Sequence, residues 1–284
     1  MASKRFEAPR GGEGARGWVR AIPALVAAVL AAAPVAAQDP QPAPVVHQIA
    51  APEARQGVAS DGTHVYAIDN TAIARYRIAD GRKVAEWHGD PARYPHINSC
   101  TIAQAELVCA ASNYPGVPQL STIEIFAPET LHHLRSVSLG MMPGSLTVLD
   151  RHDGHWWAVL ANYDGKGGEP GRDHRYTLFA RLDEEFRIVR GWAFPDDVLA
   201  RFAPRSASGA SWGADGHLYV SGHDLPELYV LDLPDAGSVL VHKATIPVVT
   251  HGQAIDFDPR EPALLWSIDR ASNTVVASRI SVAP

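Results

Sequence analysis

The groups best suited to chemistry lie far apart in this sequence. His223-Asp224 sets an imidazole beside a carboxylate, the pairing that general acid–base catalysis uses to move a proton. Asp69, Asp224 and Asp269, with Asn98, Asn113 and Asn162, supply the hard oxygen donors that calcium takes. His96, His223 and His251 form an alternative set suited to zinc or another transition metal. A divalent metal would suit these side chains, calcium ahead of zinc, while the cofactor itself stays unassigned. Gln56, Asn98, Asn113, Tyr114, Ser145, Asn162, Tyr163, Ser208, Gln253 and Arg270 are the polar and aromatic groups expected to hold a ligand.

Three local motifs point elsewhere and are weaker. Gly209-Ala210-Ser211-Trp212-Gly213 fits the GxSxG pattern of serine hydrolases, but that nucleophile needs a strand, a sharp turn and a helix. Here Asp215-Gly216 and a further strand follow, so Ser211 reads as a strand residue. The glycine-rich run 165–172 lacks the Gly-Lys-Ser/Thr ending of a phosphate loop and no helix follows it. It is expected to be a mobile lid, whose Arg172 and His174 read as solvated loop charges by default and could alternatively reach an anionic ligand. Arg151-His152-Asp153-Gly154-His155 is rich in ligand types but reads as a hairpin turn.

What positions the dispersed groups is a repeat. A polar or small start, an apolar strand, a tight polar turn, a second strand and a polar cluster recur five times, beginning near Gln56, Asn98, Gly144, Ser208 and Gln253. Two more strands follow each cluster, as at 72–78 with 84–87 and at 228–233 with 239–245. Each unit is thus a four-stranded antiparallel meander of about 40–50 residues, the size of a propeller blade. The predicted fold is all-β: a β-propeller of five four-stranded blades. The fifth unit stops after its third strand, at 274–281, and the segment 45–49 is the strand that should complete it. A β-sandwich of equal strand count explains neither the repeat length nor the split blade. One helix is expected, over 195–202, where Pro195 and two aspartates open it and Pro204 ends it.

The polar clusters stand at the start of each inner strand and the end of each second strand, so they gather at one mouth of the central channel. The loops there are the long ones, at 113–120 and 162–176, with the helical insert before Ser206. The opposite face carries short Asp-Gly turns. Ligand-binding groups collect on elaborated loops held by a rigid scaffold. The mouth residues differ from blade to blade, which favours one central site.

The chain has 284 residues, 46% hydrophobic and 20% charged, as a folded globular domain requires. Residues 1–37 begin with Lys4, Arg5, Arg10, Arg16 and Arg20, continue in an apolar run and end in small residues, the form of a secretory signal peptide. The expected organisation is signal peptide 1–37, linker 38–44 and propeller domain 45–284. Residues 1–37 hold five basic and two acidic side chains, so the formal charge of −6 becomes −9 without them. Such a chain is expected to be exported, periplasmic or secreted, with no membrane insertion after cleavage and no nucleic-acid partner. A monomer that takes a small polar molecule or carbohydrate is expected. Cys100 and Cys109 flank a two-residue turn at Gln104-Ala105 and face each other, either as a disulfide or as two buried thiols.

The inner starts Gln56-Gly57-Val58 and Gln253-Ala254-Ile255, and the Asp-Gly turns before Tyr66 and Tyr219, resemble the lactonase-like propellers of the gluconolactonase and regucalcin group. The chain also resembles exported bacterial propellers labelled cycloisomerases. The resemblance implies an oxygen-ligated divalent metal in the channel and lactone or isomerisation chemistry, while those relatives usually have more blades. Two readings stand. In one, a metal polarises a carbonyl while His223 and Asp224 move protons. In the other, the same mouth is a non-catalytic binding module for carbohydrate, peptide or a partner protein.

Overall fold

The computed structural model describes residues 41–281. The expected leader over 1–37 and the first part of the linker lie outside the described residues. Twenty strands form five four-stranded antiparallel sheets. The first blade is β2 (Gly57–Ser60), β3 (His64–Ile68), β4 (Ala72–Arg77) and β5 (Lys83–His88). The second is β6 (Ile97–Ala103), β7 (Glu106–Ser112), β8 (Leu120–Phe126) and β9 (His133–Met141). The third is β10 (Ser145–His152), β11 (His155–Ala161), β12 (Leu178–Leu182) and β13 (Ile188–Ala193). The fourth is β14 (Gly209–Trp212), β15 (Leu218–Ser221), β16 (Glu227–Asp232) and β17 (Val241–Pro247). The last combines β18 (Asp256–Phe257), β19 (Leu264–Asp269) and β20 (Thr274–Arg279) with β1 (Val45–Ala50) from the other end of the chain. Gln48 pairs with Val276 and Ile49 with Val275, so β1 is the outer strand that closes the ring.

Burial explains the order within a blade. The second strands β7 and β11 are buried at all but their first residue, whereas the outer strands β5 and β17 alternate. Strands covered on both faces by neighbouring blades read as apolar runs, and outer strands face water on one side. The core divides into five clusters, each shared by two adjacent blades. The largest side chains include Trp157, Phe179 and Tyr229 between the third and fourth blades, and Trp266 between the last and the first. Each such side chain contributes about 1.5–3 kcal/mol on burial.

The turns on the face opposite the long loops are locked by a repeated device. Asp61 accepts from the Thr63 and His64 N–H groups and from the Tyr66 hydroxyl at 2.9 Å. Asp215 accepts from Tyr219 at 2.7 Å, and Asp258 from the Trp266 indole at 2.9 Å. The second blade uses another solution. Cys100 pairs with Cys109 across β6 and β7 and the two are joined as a disulfide. Gln104 and Ala105, at φ 52° and 63°, make the tight turn between them.

One detail differs from the sequence reading, and the expected helix is present. The inner strand of the last blade is two residues long, not five, because Gly252 and Gln253 adopt φ 58° and 72°. The Ala254 N–H then bonds to Gln56 in the first blade rather than within its own sheet. The helix is α1 (Asp196–Phe202), which buries Val198, Leu199 and Phe202 against Phe194 and Tyr229.

Inner strands begin on glycine where blades touch. A Cβ at Gly57 would stand 2.3 Å from the Ala254 Cβ, and one at Gly209 would stand 2.4 Å from the Gln253 carbonyl oxygen. Gly209→Ala is expected to cost at least about 1–3 kcal/mol through forced backbone shifts. Gly222→Ala, whose methyl would meet Phe202 at 3.4 Å, is the control expected to change little. Chemical denaturation of both variants checks the difference.

Candidate functional site

The mouth on the long-loop face opens into a cavity of about 260 Å³. All five blades contribute to its lining: Gln56; His96, Asn98 and Tyr114; Thr147, Tyr163 and Lys166; Arg205, Ser208 and His223; Gln253 and Arg270. The floor is made by buried side chains. Asn98 donates from Nδ2 to the Leu146 carbonyl at 2.8 Å and to Ser112 at 3.2 Å, which ties the second blade to the third. Thr147 donates to the Ala207 carbonyl at 3.1 Å and ties the third to the fourth. Gln253 is 3% exposed, and its Nε2 is buried without a hydrogen-bond partner. Its left-handed backbone is the kind of local strain that persists when surrounding structure imposes it, often at binding sites.

One wall is aromatic. Tyr114 lies 5.2 Å from His96 and 5.1 Å from Tyr163, centroid to centroid. Burial lowers the His96 pKa to about 4, so the ring is neutral at physiological pH. Burial, then the neighbouring Tyr114, pushes the Tyr163 phenol up. Lys166, Arg205 and Arg270 are the charged groups of the lining, and no carboxylate joins them. Burial, then Arg55, lowers the Arg270 pKa.

His223 enters this pocket with a fixed orientation. Its Nδ1 donates to Asp224 Oδ1 at 2.5 Å, and Nε2 faces an Arg270 N–H at 3.4 Å. Donation from the Nδ1–H sets the tautomer and leaves Nε2 as the acceptor. Asp224 itself lies in a neighbouring open recess of about 440 Å³ with Arg55, His251 and Asp269. His251 Nδ1 donates to the Asp224 carbonyl at 2.8 Å.

The remaining sequence candidates do not line this cavity. Asn113 donates to the Pro118 carbonyl and accepts from the Leu120 N–H, closing its own loop. Asn162 donates to the carbonyls of Pro143 and Tyr176. Ser145 is buried at the start of β10. Asp69 accepts from the Asn70 N–H, and Asp269 from Ala271 and Ser272 in the β19–β20 turn. The six oxygen donors expected to hold a metal are therefore split between a buried floor, loop closures and an open recess. A dication in the pocket would also face three cations. The donor set does not fit a divalent metal at the mouth. Among the described residues, three ligand-type side chains come within 4.8 Å of one another only at Asp164, Asp173 and His174. There His174 bonds to Asp164, and Asp173 to Arg175.

The glycine-rich loop is pinned rather than free to act as a lid. Gln119 donates from Nε2 to the Gly167 carbonyl at 3.0 Å, and its N–H donates to Glu169 at 2.8 Å. Gly167 lies beneath Tyr114, where a Cβ would come within 2.3 Å of the ring. Arg172 pairs with Glu169, and Lys166 is the loop cation that reaches the pocket. Lys166, Arg205 and Thr147 were not singled out in the sequence. The first two sit on irregular loops whose path no periodicity reveals.

The opposite end of the channel holds a chamber of about 510 Å³ with Asp150, Asp256 and Asp258 in its wall. Ser211 donates to Asp256 at 3.3 Å and accepts from the Phe257 N–H, which is a structural role. His152 stacks on Trp212 at 4.5 Å. Burial, then the neighbouring Asp150, raises the Asp256 pKa well above the ordinary 3.8. The contribution of such a group is complete below the unfolded value and is lost as pH rises through the folded one. Asp256→Asn cannot ionise, so it should melt above the parent near pH 7 and lose that advantage near pH 4. Thermal melts at both pH values check this. A variant that melts below the parent near pH 7 would show that the ionised carboxylate is the stabilising form.

No protein-family model and no curated protein sequence matches the chain. Among solved structures it is similar to hydrazine synthase of Kuenenia stuttgartiensis, at 12% identity and TM-score 0.47, covering 80% of this chain and 83% of that one. It is also similar to the PQQ-bound aldose sugar dehydrogenase of Streptomyces coelicolor, at 13% identity and TM-score 0.49, covering 81% and 79%. A third likeness is to the Cps50 (Swd1) beta-propeller domain of Myceliophteria thermophila, at 12% identity and TM-score 0.42, covering 79% and 83%.

Proposed function

We propose that this chain is an exported protein that takes a small polar molecule into the pocket at the channel mouth. The observation that carries the reading is the convergence of side chains from all five blades on one cavity. A volume of about 260 Å³ suits a single sugar or hydroxy acid rather than a peptide. Tyr114 and Tyr163 supply flat faces for a ring, and Asn98, Thr147, Ser208 and Gln253 supply polar contacts. The basic, then apolar start of the sequence and the Cys100–Cys109 disulfide support export.

A second reading, acid–base chemistry on the bound molecule, is favoured by the His223–Asp224 pair. Asp224 holds the ring so that Nε2 is the proton acceptor on the pocket side. Lactone opening or a related isomerisation needs such a base. Here the neighbouring cations, rather than a metal, would stabilise a developing oxyanion.

Calorimetric titration of the exported form with neutral sugars, sugar acids and sugar lactones tests both readings. Binding of at least one class is expected, with a gain of about 2.7 kcal/mol in stability at a hundredfold excess over Kd. Gln253→Leu should remove it. Binding that survives in Gln253→Leu, or none at all, would contradict the pocket reading. Turnover of a lactone that stops in His223→Gln, with binding retained, would establish the second. The mass of the exported form should correspond to a chain beginning at Gln38.

A further inference from the structure

We propose that the molecule held at the mouth is an anion, a small organic acid or phosphate ester whose charged group is bound by Arg270, Arg205 and Lys166. The inference rests on the pocket reading above and adds the class of ligand.

Three cations share a cavity whose lining contains no carboxylate, in a chain with a formal charge of −6. Like charges gathered in one concavity repel one another, so the arrangement needs a counter-charge. The nearby acids act on Arg270 only from a distance and are engaged by other groups. Asp224 is engaged by His223, Asp69 by the Asn70 N–H with Arg55 at 3.8 Å, and Glu169 by the Gln119 N–H with Arg172 at 3.7 Å. Among the described residues, none of Arg270, Arg205 and Lys166 has a carboxylate oxygen within 4.0 Å.

Two of the cations feel each other. Burial, then Arg55, lowers the Arg270 pKa, and Arg205 adds to that against the opposing pull of Asp224 and Asp69. Burial lowers the His96 pKa and Arg270 adds to it, while the Asn98 contact opposes both. Among the described residues, the one hydrogen bond of the Arg270 side chain is the 3.4 Å contact to His223 Nε2. The rest of its five-donor fork is free for a planar or tetrahedral oxyanion. A neutral sugar would satisfy the floor of the pocket but would leave the three positive charges uncompensated. A carboxylate or phosphate attached to a polyol meets both parts: charge at the rim, hydroxyls against Asn98, Thr147 and Gln253.

The test uses the exported chain with four probes: D-glucuronate, glucose 6-phosphate, inorganic phosphate and neutral glucose. Calorimetry at low and raised salt should show at least one anion binding about tenfold or more tightly than glucose, with affinity falling as salt rises. Glucuronate alone would identify a carboxylate, glucose 6-phosphate alone a phosphate ester, and inorganic phosphate at equal affinity a site for the anion itself. Arg270→Gln and Arg205→Gln should each weaken the anion about tenfold or more. Without ligand, each should melt at or above the parent, because a repulsion is removed. A merely structural arginine would instead lower the melt. Glucose binding as tightly as the anions and unchanged in Arg270→Gln would overturn the anion assignment and leave the pocket standing. No probe binding at millimolar concentration would overturn both.

Discussion

Everything at the mouth depends on how closely neighbouring blades approach at their inner strands. At the junction of the fourth, last and first blades neither glycine has room for a side chain: Gly57 faces the Ala254 Cβ, and Gly209 faces the Gln253 carbonyl. Beside this contact Gly252 and Gln253 leave the extended conformation, and the inner strand of the last blade begins only at Asp256. The Gln253 side chain is thereby placed in the channel floor rather than in a sheet. The ring can hold this contact only because β1 completes the last blade, leaving no open sheet edge at the seam.

The two ends of the channel then acquire opposite chemistry from one scaffold. At the mouth, loops bring Lys166 and Arg205, and the short β19–β20 turn brings Arg270, around neutral His96 and the tyrosines. At the other end, short turns use aspartates to bind backbone N–H groups and the aromatic tips of the second strands. Two further carboxylates, half-buried Asp150 and buried Asp256, stand there, and removal from water raises both pKa values. The turn device fixes strand ends and consumes its acids internally. Among the described residues the mouth cations have no carboxylate oxygen within 4.0 Å, and the proposed ligand site rests on that contrast.

Much of the scaffold could be read from residue order. Apolar runs separated by Asp-Gly turns gave five blades, and the missing strand of the fifth unit pointed to residues 45–49, where β1 is found. Polar residues flanking inner strands marked Gln56, Asn98, Ser208, His223, Gln253 and Arg270, all of which line the cavity. The same rule also picked Asn113 and Asn162, which bond to their own loops, because a strand-end amide looks alike whether it faces a channel or a carbonyl. Lys166 and Arg205 escaped because loop paths are set by tertiary contacts such as Gln119 to Gly167, which leave no periodic trace. The charge of the pocket was therefore hidden, and oxygen-rich side chains suggested a metal where cations stand.

The most direct measurement is a crystal structure of this protein grown with glucuronate. The account predicts ligand density at the mouth, with the carboxylate against Arg270 and Arg205 and the ring beside Tyr163 and Gln253. Density instead in the acidic chamber at the opposite end, or on the outer surface of a blade with the mouth filled only by water, would contradict it.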